Sequence, residues 1–276
     1  MNLIAQGPAM TAEHAAELAR LGKTTHIEEI TANAWRLRNA VPADSIAAWC
    51  ERRRIDHAWM PEGRRFADLK LLAMDMDSTL ITIECIDELG DLAGRKAEIA
   101  AITAQAMRGE IDYPESLRRR VALLSGLQES ALGRVYDERL RLTSGAEALL
   151  GACKKHGIRL LLVSGGFSFF TERLKARLGI DYTISNILEI RDGLLTGRVS
   201  GSIVGAEAKA AKFKNVLKEL NASKEQSVAI GDGANDLKMM AEAGISIAFH
   251  AKPVVRAQAS CVFSWCGLDA VPNLFE

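Results

Sequence analysis

The chain has 276 residues, of which 48% are hydrophobic and 25% are charged, and its 35 basic residues balance 35 acidic ones. A net charge near zero gives no electrostatic reason to expect binding to nucleic acid or to an anionic membrane. The five cysteines form no CxxC pair, and the N-terminus MNLIAQGPAM lacks the basic segment and apolar core of a signal peptide. No run reaches the roughly 18 apolar residues of a transmembrane helix, so we expect a cytoplasmic protein in a reducing compartment.

Residues 1–68 are predicted to form a small α+β domain. TAEHAAELARL and ADSIAAWCERRR have the apolar spacing of helices. Short apolar segments that are typical of strands are NLIAQ, HIEEI, AWRLR and DHAWM. The resulting order β-α-β-β-α-β is that of a ferredoxin-like fold. PEGRR (61–65), which contains both Pro and Gly, is the predicted linker to the rest of the chain.

Residues 69–276 alternate apolar strands with helices, which predicts an α/β fold with a Rossmann-like parallel sheet and helices on both faces. Continuously apolar runs, as expected for parallel strands buried on both faces, are LKLLAMD, IRLLLVSGG, QSVAIGDG and GISIAF. Polar or glycine-rich loops follow three of these runs, and ligands bind at this end of parallel strands. The stretch from about 84 to 140 shows only helical patterns and is predicted to be a helical cap inserted into the domain.

MDMDSTL (74–80) places Asp75 and Asp77 where the first apolar strand ends. Most loop aspartates cap a helix or form a turn. A calcium loop is a further alternative, but it needs a third ligand and a glycine where Leu80 stands. Paired acids can also divide a reaction between them. One stays ionised beside a metal and attacks, while the other, repelled by that charge, keeps a proton to donate.

LLVSGGFS (161–168) follows the second apolar strand. Its hydroxyl and backbone N–H groups precede a helix predicted to begin near Phe167, an arrangement that suits a phosphate anion. A plain strand-to-helix turn has a similar pattern. The loop is not a P-loop, because no GK[ST] follows. Ser164 is not a GxSxG nucleophile either, because Leu162 replaces the first glycine.

Lys209 is predicted to lie on the inward face of a helix that runs from about 205 to 220. At about 100° per residue it falls on the apolar stripe of that helix, which comprises Phe213, Val216, Leu217 and Leu220. A lysine on such a stripe either extends to solvent at the helix end or pairs with a buried anion.

AIGDGANDL (229–237) brings Asp232, Asn235 and Asp236 to the end of a third strand. Carboxylate and amide oxygens without paired His or Cys ligands favour a hard cation such as Mg²⁺. A dinucleotide-binding GxGxxG is a weaker interpretation, because Asp236 occupies the place of the third glycine. Together these segments would surround one phosphate and one Mg²⁺, an arrangement that predicts phosphoryl transfer through an aspartyl-phosphate.

DMDST, VSGG, the isolated Lys209 and GDGAND resemble, in order, the motifs of the haloacid dehalogenase superfamily. Over about residues 69–275 the chain is similar to the phosphoserine phosphatase family of that superfamily, in the segments ECIDEL (84–89), AMRGEIDYPESLRRRVALL (106–124) and IGDGANDLKMM (230–240). The resemblance implies that Asp75 is the nucleophile and Asp77 the general acid/base. It implies a phosphate site of Ser164, Gly165, Lys209 and Asn235, and a Mg²⁺ site of Asp75, Asp232 and the Asp77 carbonyl, with Asp236 in support.

The same resemblance assigns substrate recognition to the cap. Glu84 would bind the ammonium group and Arg120 the carboxylate of O-phosphoserine, while Met107 and Tyr113 would shield the site. Alternatively, Glu84 is an acid at a helix start, and RRR (118–120) is a solvated run of charge. On the helical wheel, Arg120 lies nearest to the apolar stripe of its helix. The family usually has Phe where Tyr113 stands.

The function implied by the resemblance is Mg²⁺-dependent hydrolysis of O-phospho-L-serine to L-serine and phosphate, the last step of L-serine biosynthesis. Two alternatives stay open: transfer of the phosphoryl group to another alcohol such as homoserine, and hydrolysis of another small phosphate monoester. The strand–helix order of residues 1–68 resembles ACT-type regulatory domains, so this part either senses an amino acid or is a structural or dimerising appendage of a possible homodimer. We expect a small-molecule substrate and neither nucleic acid nor a membrane as partner.

Overall fold

The computed structural model describes all 276 residues. Its first part is a four-stranded antiparallel sheet with two helices. The elements are β1 (Asn2–Gln6), α1 (Ala12–Leu21), β2 (Ile27–Thr31), β3 (Ala34–Leu37), α2 (Asp44–Arg53) and β4 (Asp56–Met60). The strand order β2-β3-β1-β4 is ferredoxin-like, so the predicted fold of this part is confirmed.

Both faces of this small sheet are covered. On one face, Leu3 and Leu37 pack in a core that includes residues of α1 and α2. On the other face, Ile4 and Met60 join the core of the larger part of the protein. Every residue of β1 is therefore buried, in agreement with its continuously apolar centre.

The larger sheet has seven strands in the order β11-β10-β9-β5-β6-β7-β8. They are β5 (Leu71–Asp75), β6 (Arg159–Phe167), β7 (Tyr182–Arg191), β8 (Leu194–Ser200), β9 (Ser227–Gly231), β10 (Ile245–Phe249) and β11 (Cys261–Phe263). All neighbouring strands are parallel except β8, which runs antiparallel to β7. Because β5 lies between β9 and β6, the loops that follow these strands meet at one edge of the sheet.

Helices cover both faces of this sheet, as predicted. They are α7 (Ala146–Lys155), α8 (Ser168–Leu178), α9 (Ala206–Glu219), α10 (Leu237–Glu242) and α11 (Pro253–Arg256). Alternate residues of β5 face opposite cores: Leu72 and Met74 pack with residues of α7 and α8, whereas Leu71 and Ala73 pack with residues of α9 and α10. This burial on two sides accounts for the continuous apolar runs of the central strands.

The residues between β5 and α7 form the predicted helical insertion. Its helices are α3 (Cys85–Leu92), α4 (Lys96–Met107), α5 (Tyr113–Ala122) and α6 (Ser130–Arg134). A Cβ on Gly197 of β8 would lie 3.1 Å from the Ala122 carbonyl oxygen, so α5 packs closely on the β7–β8 hairpin. The insertion is thereby placed over the carboxyl ends of the central strands.

Strands β7, β8 and β11 were not predicted from the sequence. β7 and β8 form a hairpin at the sheet edge, and most of their residues are only partly buried or exposed. Their polar and apolar residues are therefore mixed and give no continuous apolar run. β11 has only three residues, which is too short for a periodic pattern.

A buried aspartate joins the two sheets. Asp56, which is 2% exposed, accepts hydrogen bonds from the backbone N–H groups of Ser264, Trp265 and Cys266 at 2.8, 3.0 and 2.9 Å. These bonds fix β4 of the small sheet against the chain that follows β11. None of the helices combines the length and the apolar character that crossing a bilayer requires.

Candidate active site

A cavity of about 900 Å³ lies between the helical insertion and the ends of the central strands. The sheet side contributes Asp75, Asp77, Gly165, Asp232 and Asn235 to its lining, and the insertion contributes Glu84, Met107, Tyr113 and Arg120. Fully buried beneath its floor are Ser164, Lys209 and Asp236. The structure thus brings all the residues that the sequence suggested for the site to one place.

Asp77 is held between the insertion and the C-terminal end of β6. Its Oδ1 accepts the Cys85 N–H at 2.9 Å, and its Oδ2 accepts the Ser164 hydroxyl at 3.2 Å. The next residue, Ser78, has a φ of 56°, a left-handed turn that directs the chain from β5 into the insertion. Burial raises the pKa of Asp77, while the hydrogen bonds from Cys85 and Ser164 oppose the rise. A buried carboxyl of raised pKa suits a proton donor.

Lys209 pairs with two buried acids. Its Nζ donates to Asp75 Oδ1 at 2.7 Å and to Asp236 Oδ1 at 2.8 Å, and its side chain is not exposed to solvent. Burial alone would lower the pKa of Lys209, but the carboxylates of Asp236 and Asp75 raise it above its ordinary value. The lysine therefore stays charged and binds anions instead of extending to solvent.

Asp75, Asp232 and Asp236 form a carboxylate cluster whose ligand oxygens lie within 4.8 Å of one another. Burial, followed by the charge of Asp236, raises the pKa of Asp75 well above its ordinary value, and the same causes raise the pKa of Asp232 to about 6. Lys209 pairs with two of these acids, Asp75 and Asp236, and the charge of Lys252 acts on the third, so three carboxyl groups face two cations. The cluster therefore has an excess of negative charge, and its oxygen ligands fit a hard divalent cation.

Asp236, expected to support the metal site, contributes a carboxylate to this cluster. The carboxylate of Asp77 is directed to Ser164, so only the backbone carbonyl of Asp77, as the resemblance implied, is left for a metal ion. Thr79 is the last residue of the motif DMDST, and the sequence predicted no function for it. It is fully buried, and its hydroxyl donates to Asp232 Oδ1 at 3.2 Å. Thr79 therefore fixes the orientation of one acid of the cluster.

The phosphate loop, defined here as Ser164–Gly166, was predicted to follow the second strand, but it forms the C-terminal end of β6, where the pairing with β7 is irregular. Side chains approach it closely. A Cβ on Gly166 would lie 2.7 Å from Asp77 Oδ2, and one on Gly165 would overlap the Tyr113 hydroxyl, so a side chain at either position would displace a residue of the site. The Gly166 N–H donates to Ser164 Oγ at 2.8 Å. Helix α8 begins soon after this loop, and its N-terminus favours an anion in the cavity.

Asn186 on β7 is a site residue that sequence reasoning missed. It is 2% exposed, its Nδ2 donates to the Gly165 carbonyl at 2.8 Å, and its Oδ1 accepts the Val204 N–H at 2.8 Å. An asparagine within the mixed segment TISNILEIR gives no signal by itself. Recognition of this segment as a strand beside β6 would have identified Asn186 as a polar residue close to the loop.

Glu84 precedes α3 but makes no side-chain hydrogen bond that caps it. Its Oε1 instead accepts the Ser78 hydroxyl at 2.8 Å. Solvent reaches Glu84 through the cavity, yet desolvation by the surrounding wall, followed by the charge of Asp77, raises the pKa of Glu84 to about 7. This environment favours a ligand-facing acid over a simple helix-start acid.

The arginines of RRR (118–120) differ in their surroundings. Arg118 and Arg119 are exposed and lie 3.8 and 2.7 Å from the Glu115 carboxylate. Arg120 is half-buried, lines the cavity, and donates to the Ser116 carbonyl at 3.4 Å. Its charge is therefore available to a ligand, and the description of the whole run as solvated does not hold for Arg120.

The rim of the cavity is formed by the helical insertion and by loops on the sheet side of the larger part. Met107 is 66% exposed, so it does not cover the cavity in this structure, whereas Tyr113 is half-buried against Gly165. Lys252, which precedes α11, and Val254, in the first turn of α11, also line the rim. Neither residue was predicted. Met107 therefore lies at a solvent-exposed edge of the cavity lining.

Comparisons with known proteins identify relatives of this chain. Residues 72–241 match the model of the haloacid dehalogenase-like hydrolases, and residues 3–45 match a domain of unknown function. A phosphoserine phosphatase of a Polaromonas species is 56% identical over 217 residues, which are 77% of this chain and 92% of that protein. The crystal structure of a probable phosphoserine phosphatase from Vibrio cholerae has a TM-score of 0.86 at 33% identity and covers 99% of this chain and 86% of its own. A structure described as a phospho-aspartyl intermediate analogue of phosphoserine phosphatase has a TM-score of 0.71 at 36% identity, with coverage of 75% and 99%.

Proposed function

The chain belongs to the haloacid dehalogenase-like hydrolases, and from that premise we propose that it acts as a phosphoserine phosphatase. The reaction is hydrolysis of O-phospho-L-serine to L-serine and phosphate, the last step of L-serine biosynthesis. One observation carries the proposal: Glu84 and Arg120 line the same cavity as Asp75 and Asp77. A substrate with an ammonium group, a carboxylate and a phosphate ester matches this set of charges.

The two aspartates of DMDST divide the reaction. Asp75 attacks phosphorus, so that a bond from its Oδ to phosphorus forms while the bond from phosphorus to the serine oxygen breaks, and Asp77 gives its proton to that oxygen. Asp77 then takes a proton from water, whose oxygen attacks phosphorus and releases Asp75 together with free phosphate. The burial of Asp77 and its contact with Ser164 support this role.

The phosphate oxygens are bound by the Ser164 hydroxyl, the Gly165 N–H, the Lys209 ammonium and the Asn235 amide. Phosphate monoesters are among the slowest bonds to hydrolyse unaided, so neutralisation of charge supplies much of the catalysis. Lys209 suits this task, because it is charged and removed from bulk water beneath the floor of the cavity.

We propose Mg²⁺ as the cation of the carboxylate cluster. Asp75, Asp232 and the backbone carbonyl of Asp77 would hold it, with Asp236 in support. When bound, the ion supplies positive charge that offsets the charge of the transferring phosphoryl group. The oxygen ligands and the excess of negative charge in the cluster support this assignment.

The insertion determines which phosphate ester reacts. Glu84 would bind the ammonium group of phosphoserine and Arg120 its carboxylate, while Tyr113 and Met107 would shield the substrate. The available charge of Arg120 and the cavity-facing position of Glu84 support these roles. Because Met107 is 66% exposed, its shielding requires the insertion to approach the rim more closely.

A phosphate-release panel tests the proposal. Purified protein is assayed with phosphoserine, phosphothreonine, phosphoethanolamine and a sugar phosphate, with Mg²⁺ and with EDTA. We expect phosphoserine to be preferred and the activity to require Mg²⁺. Equal rates on all four esters would contradict the assignment of phosphoserine as the substrate. If no phosphate is released from any of them, the assignment of phosphatase activity is wrong. Formation of phosphohomoserine when homoserine is added would favour the alternative of phosphoryl transfer.

We also propose that residues 1–68 form a domain separate from a phosphatase domain of residues 69–276, and that the enzyme acts in the cytoplasm. All five cysteines are free and buried, which supports a reducing compartment. A homodimer formed through the first domain is tested by sedimentation velocity. A species of twice 30.0 kDa supports it, and a single 30.0 kDa species contradicts it.

A further inference from the structure

Tyr113 connects the helical insertion to the phosphate loop. It is the first residue of α5, whose start is fixed because the Asp112 side chain accepts the Glu115 N–H at 2.8 Å. Its ring lies beside Gly165 and Gly205, neither of which presents a side chain to it. Its hydroxyl donates to the Gly165 carbonyl at 2.9 Å. This hydrogen bond ties the insertion to the loop at the end of β6.

The peptide group between Gly165 and Gly166 is held on both sides. Its carbonyl accepts a second hydrogen bond from Asn186 Nδ2 at 2.8 Å, and its N–H donates to Ser164 Oγ at 2.8 Å. Because a peptide group is planar, donors to the carbonyl also fix the direction of the N–H. Ser164 in turn donates to Asp77 Oδ2 at 3.2 Å. The Gly165–Gly166 peptide group thus links the Tyr113 hydroxyl on α5 to the side chains of Ser164 and Asp77.

We infer that Tyr113 is a positioning residue: through its hydrogen bond to Gly165 it orients the Gly165–Gly166 peptide group and, with it, the hydroxyl of Ser164. The inference rests on the proposed function only in requiring that this loop bind phosphate. Shielding of a substrate does not need the hydroxyl, because a phenyl ring fills the space beside the two glycines equally well. The loop faces the phosphate and not the rest of the substrate, so loss of the hydroxyl should affect every phosphate ligand alike.

The hydroxyl can donate over the whole working range of pH. Burial raises the pKa of Tyr113 to about 12, so the phenol stays protonated. Without the hydroxyl, the Gly165 carbonyl keeps Asn186 as a donor, and no buried acceptor becomes unpaired. The variant Tyr113→Phe should therefore fold, and its defect should be one of loop orientation.

Wild type, Tyr113→Phe and Tyr182→Phe are compared in the presence of Mg²⁺. The measured quantities are kcat/KM for phosphoserine and for phosphoethanolamine, the binding constant of inorganic phosphate by calorimetry, and Tm. Loss of one hydrogen bond to the loop should reduce both kcat/KM values and the affinity for inorganic phosphate by a similar factor, about 3- to 10-fold. Tyr182→Phe should match wild type, because the Tyr182 hydroxyl bonds to Glu219, far from the cavity.

Unchanged kinetics and phosphate binding in Tyr113→Phe, with or without a lower Tm, would overturn the inference, since the hydroxyl would then serve only the stability of the fold. A loss confined to phosphoserine would overturn it as well, because it would indicate direct contact with the amino-acid part of the substrate. The proposed function fails separately, if wild type releases no phosphate from phosphoserine. In that case the binding of inorganic phosphate to the two proteins still decides the role of Tyr113, and a wild type that binds no phosphate would overturn both.

Discussion

Lys209 donates a 2.7 Å hydrogen bond to Asp75 from a side chain that is wholly removed from solvent. The same ammonium lies 2.8 Å from Asp236, so one positive charge is shared between two acids. Such a buried pair is weak evidence for stability, because the cost of removing the charges from water offsets their attraction. The arrangement is better explained by the need for a fixed positive charge where a phosphoryl group is transferred.

Asp75→Asn should abolish phosphate release while leaving the fold intact. An amide cannot attack phosphorus, and Lys209 keeps Asp236 as its partner. Because burial and the nearby carboxylates raise the pKa of Asp75, removal of this acid should not lower the Tm of the metal-free protein. A phosphate-release assay and a thermal melt check the two expectations. Activity of the Asn variant at the wild-type level would exclude the covalent route.

Mg²⁺ should raise Tm more at about pH 7 than at about pH 4. The pKa of Asp232 is raised from 3.8 to about 6, so the folded protein holds a proton that the unfolded chain has released. In the metal-free protein this group contributes stability below about pH 4, and the contribution is lost as the pH rises to about 6. At low pH the ion must displace that proton, so its stabilising effect should grow over the same range.

Melts with Mg²⁺ and with EDTA, recorded across this range, measure the effect on Tm. Asp232→Asn is the matched variant, because it removes the titrating carboxyl while nearly preserving its shape. The gain in Tm that Mg²⁺ produces in this variant should be smaller and should change less with pH. A gain in Tm that is the same at every pH for the wild type would contradict the assignment of the ion to this cluster.

Asp77→Asn should impair both half-reactions. The serine oxygen leaves poorly without a proton, and water attacks poorly without a base. p-Nitrophenyl phosphate has a good leaving group, so its phosphoryl transfer to Asp75 should be partly spared. Rapid-quench measurement of this first step compares the two substrates. An equal loss for both would show that Asp77 does not donate the proton.

The sequence identified the residues of the candidate site more completely than the strands of the larger sheet. Asp75 and Asp232 each follow an uninterrupted apolar run, and the ends of neighbouring parallel strands meet at one edge, so local patterns were sufficient to place them together. Asn186 was not predicted to belong to the site, because its position depends on the pairing of β7 with β6, which no local sequence pattern reveals. The role of Asp56 was equally hidden, since its partner Ser264 lies 208 residues further along the chain.

Arg120→Ala should weaken the reaction of phosphoserine far more than that of phosphoethanolamine, which has no carboxylate. The lost charge-assisted contact is worth roughly 2–4 kcal/mol in a dry pocket, a factor of tens to hundreds in kcat/KM. Arg119→Ala is the matched control, because Arg119 is exposed and pairs with Glu115 on the same helix. Its kcat/KM values should stay close to those of the wild type.

Glu84→Gln complements this comparison. It should impair both amine-bearing substrates and spare a phosphate ester without an amine, because Glu84 is assigned to the ammonium group. Steady-state kinetics on the three esters separate the two roles. Equal losses in Arg119→Ala and Arg120→Ala would show that the arginine run is only a charged surface, and the preference for phosphoserine would need another cause.

Asp56→Ala should loosen the attachment of the N-terminal sheet. The buried Asp56 carboxylate accepts three backbone N–H groups from the segment after β11, and its removal leaves these donors without their acceptor. The expected cost is about 2–4 kcal/mol of unfolding free energy. The Glu276 N–H donates to the Arg64 carbonyl at 2.7 Å, so the C-terminus is hydrogen-bonded to the linker. Trypsin should therefore cleave after Arg64 or Arg65 faster in the variant.

Glu51→Gln is the control for this experiment, because Glu51 also reaches across to the larger part of the protein. It lies 3.6 Å from Arg256 with 63% of its side chain exposed, so loss of its charge should cost no more than about 0.5 kcal/mol. Urea unfolding and tryptic digestion are compared for wild type and both variants. If Asp56→Ala and Glu51→Gln behave alike, the buried carboxylate does not hold the two sheets together. If only Asp56→Ala is destabilised and cleaved in the linker, the attachment depends on hydrogen bonds to a buried charge and not on ion pairs at the surface.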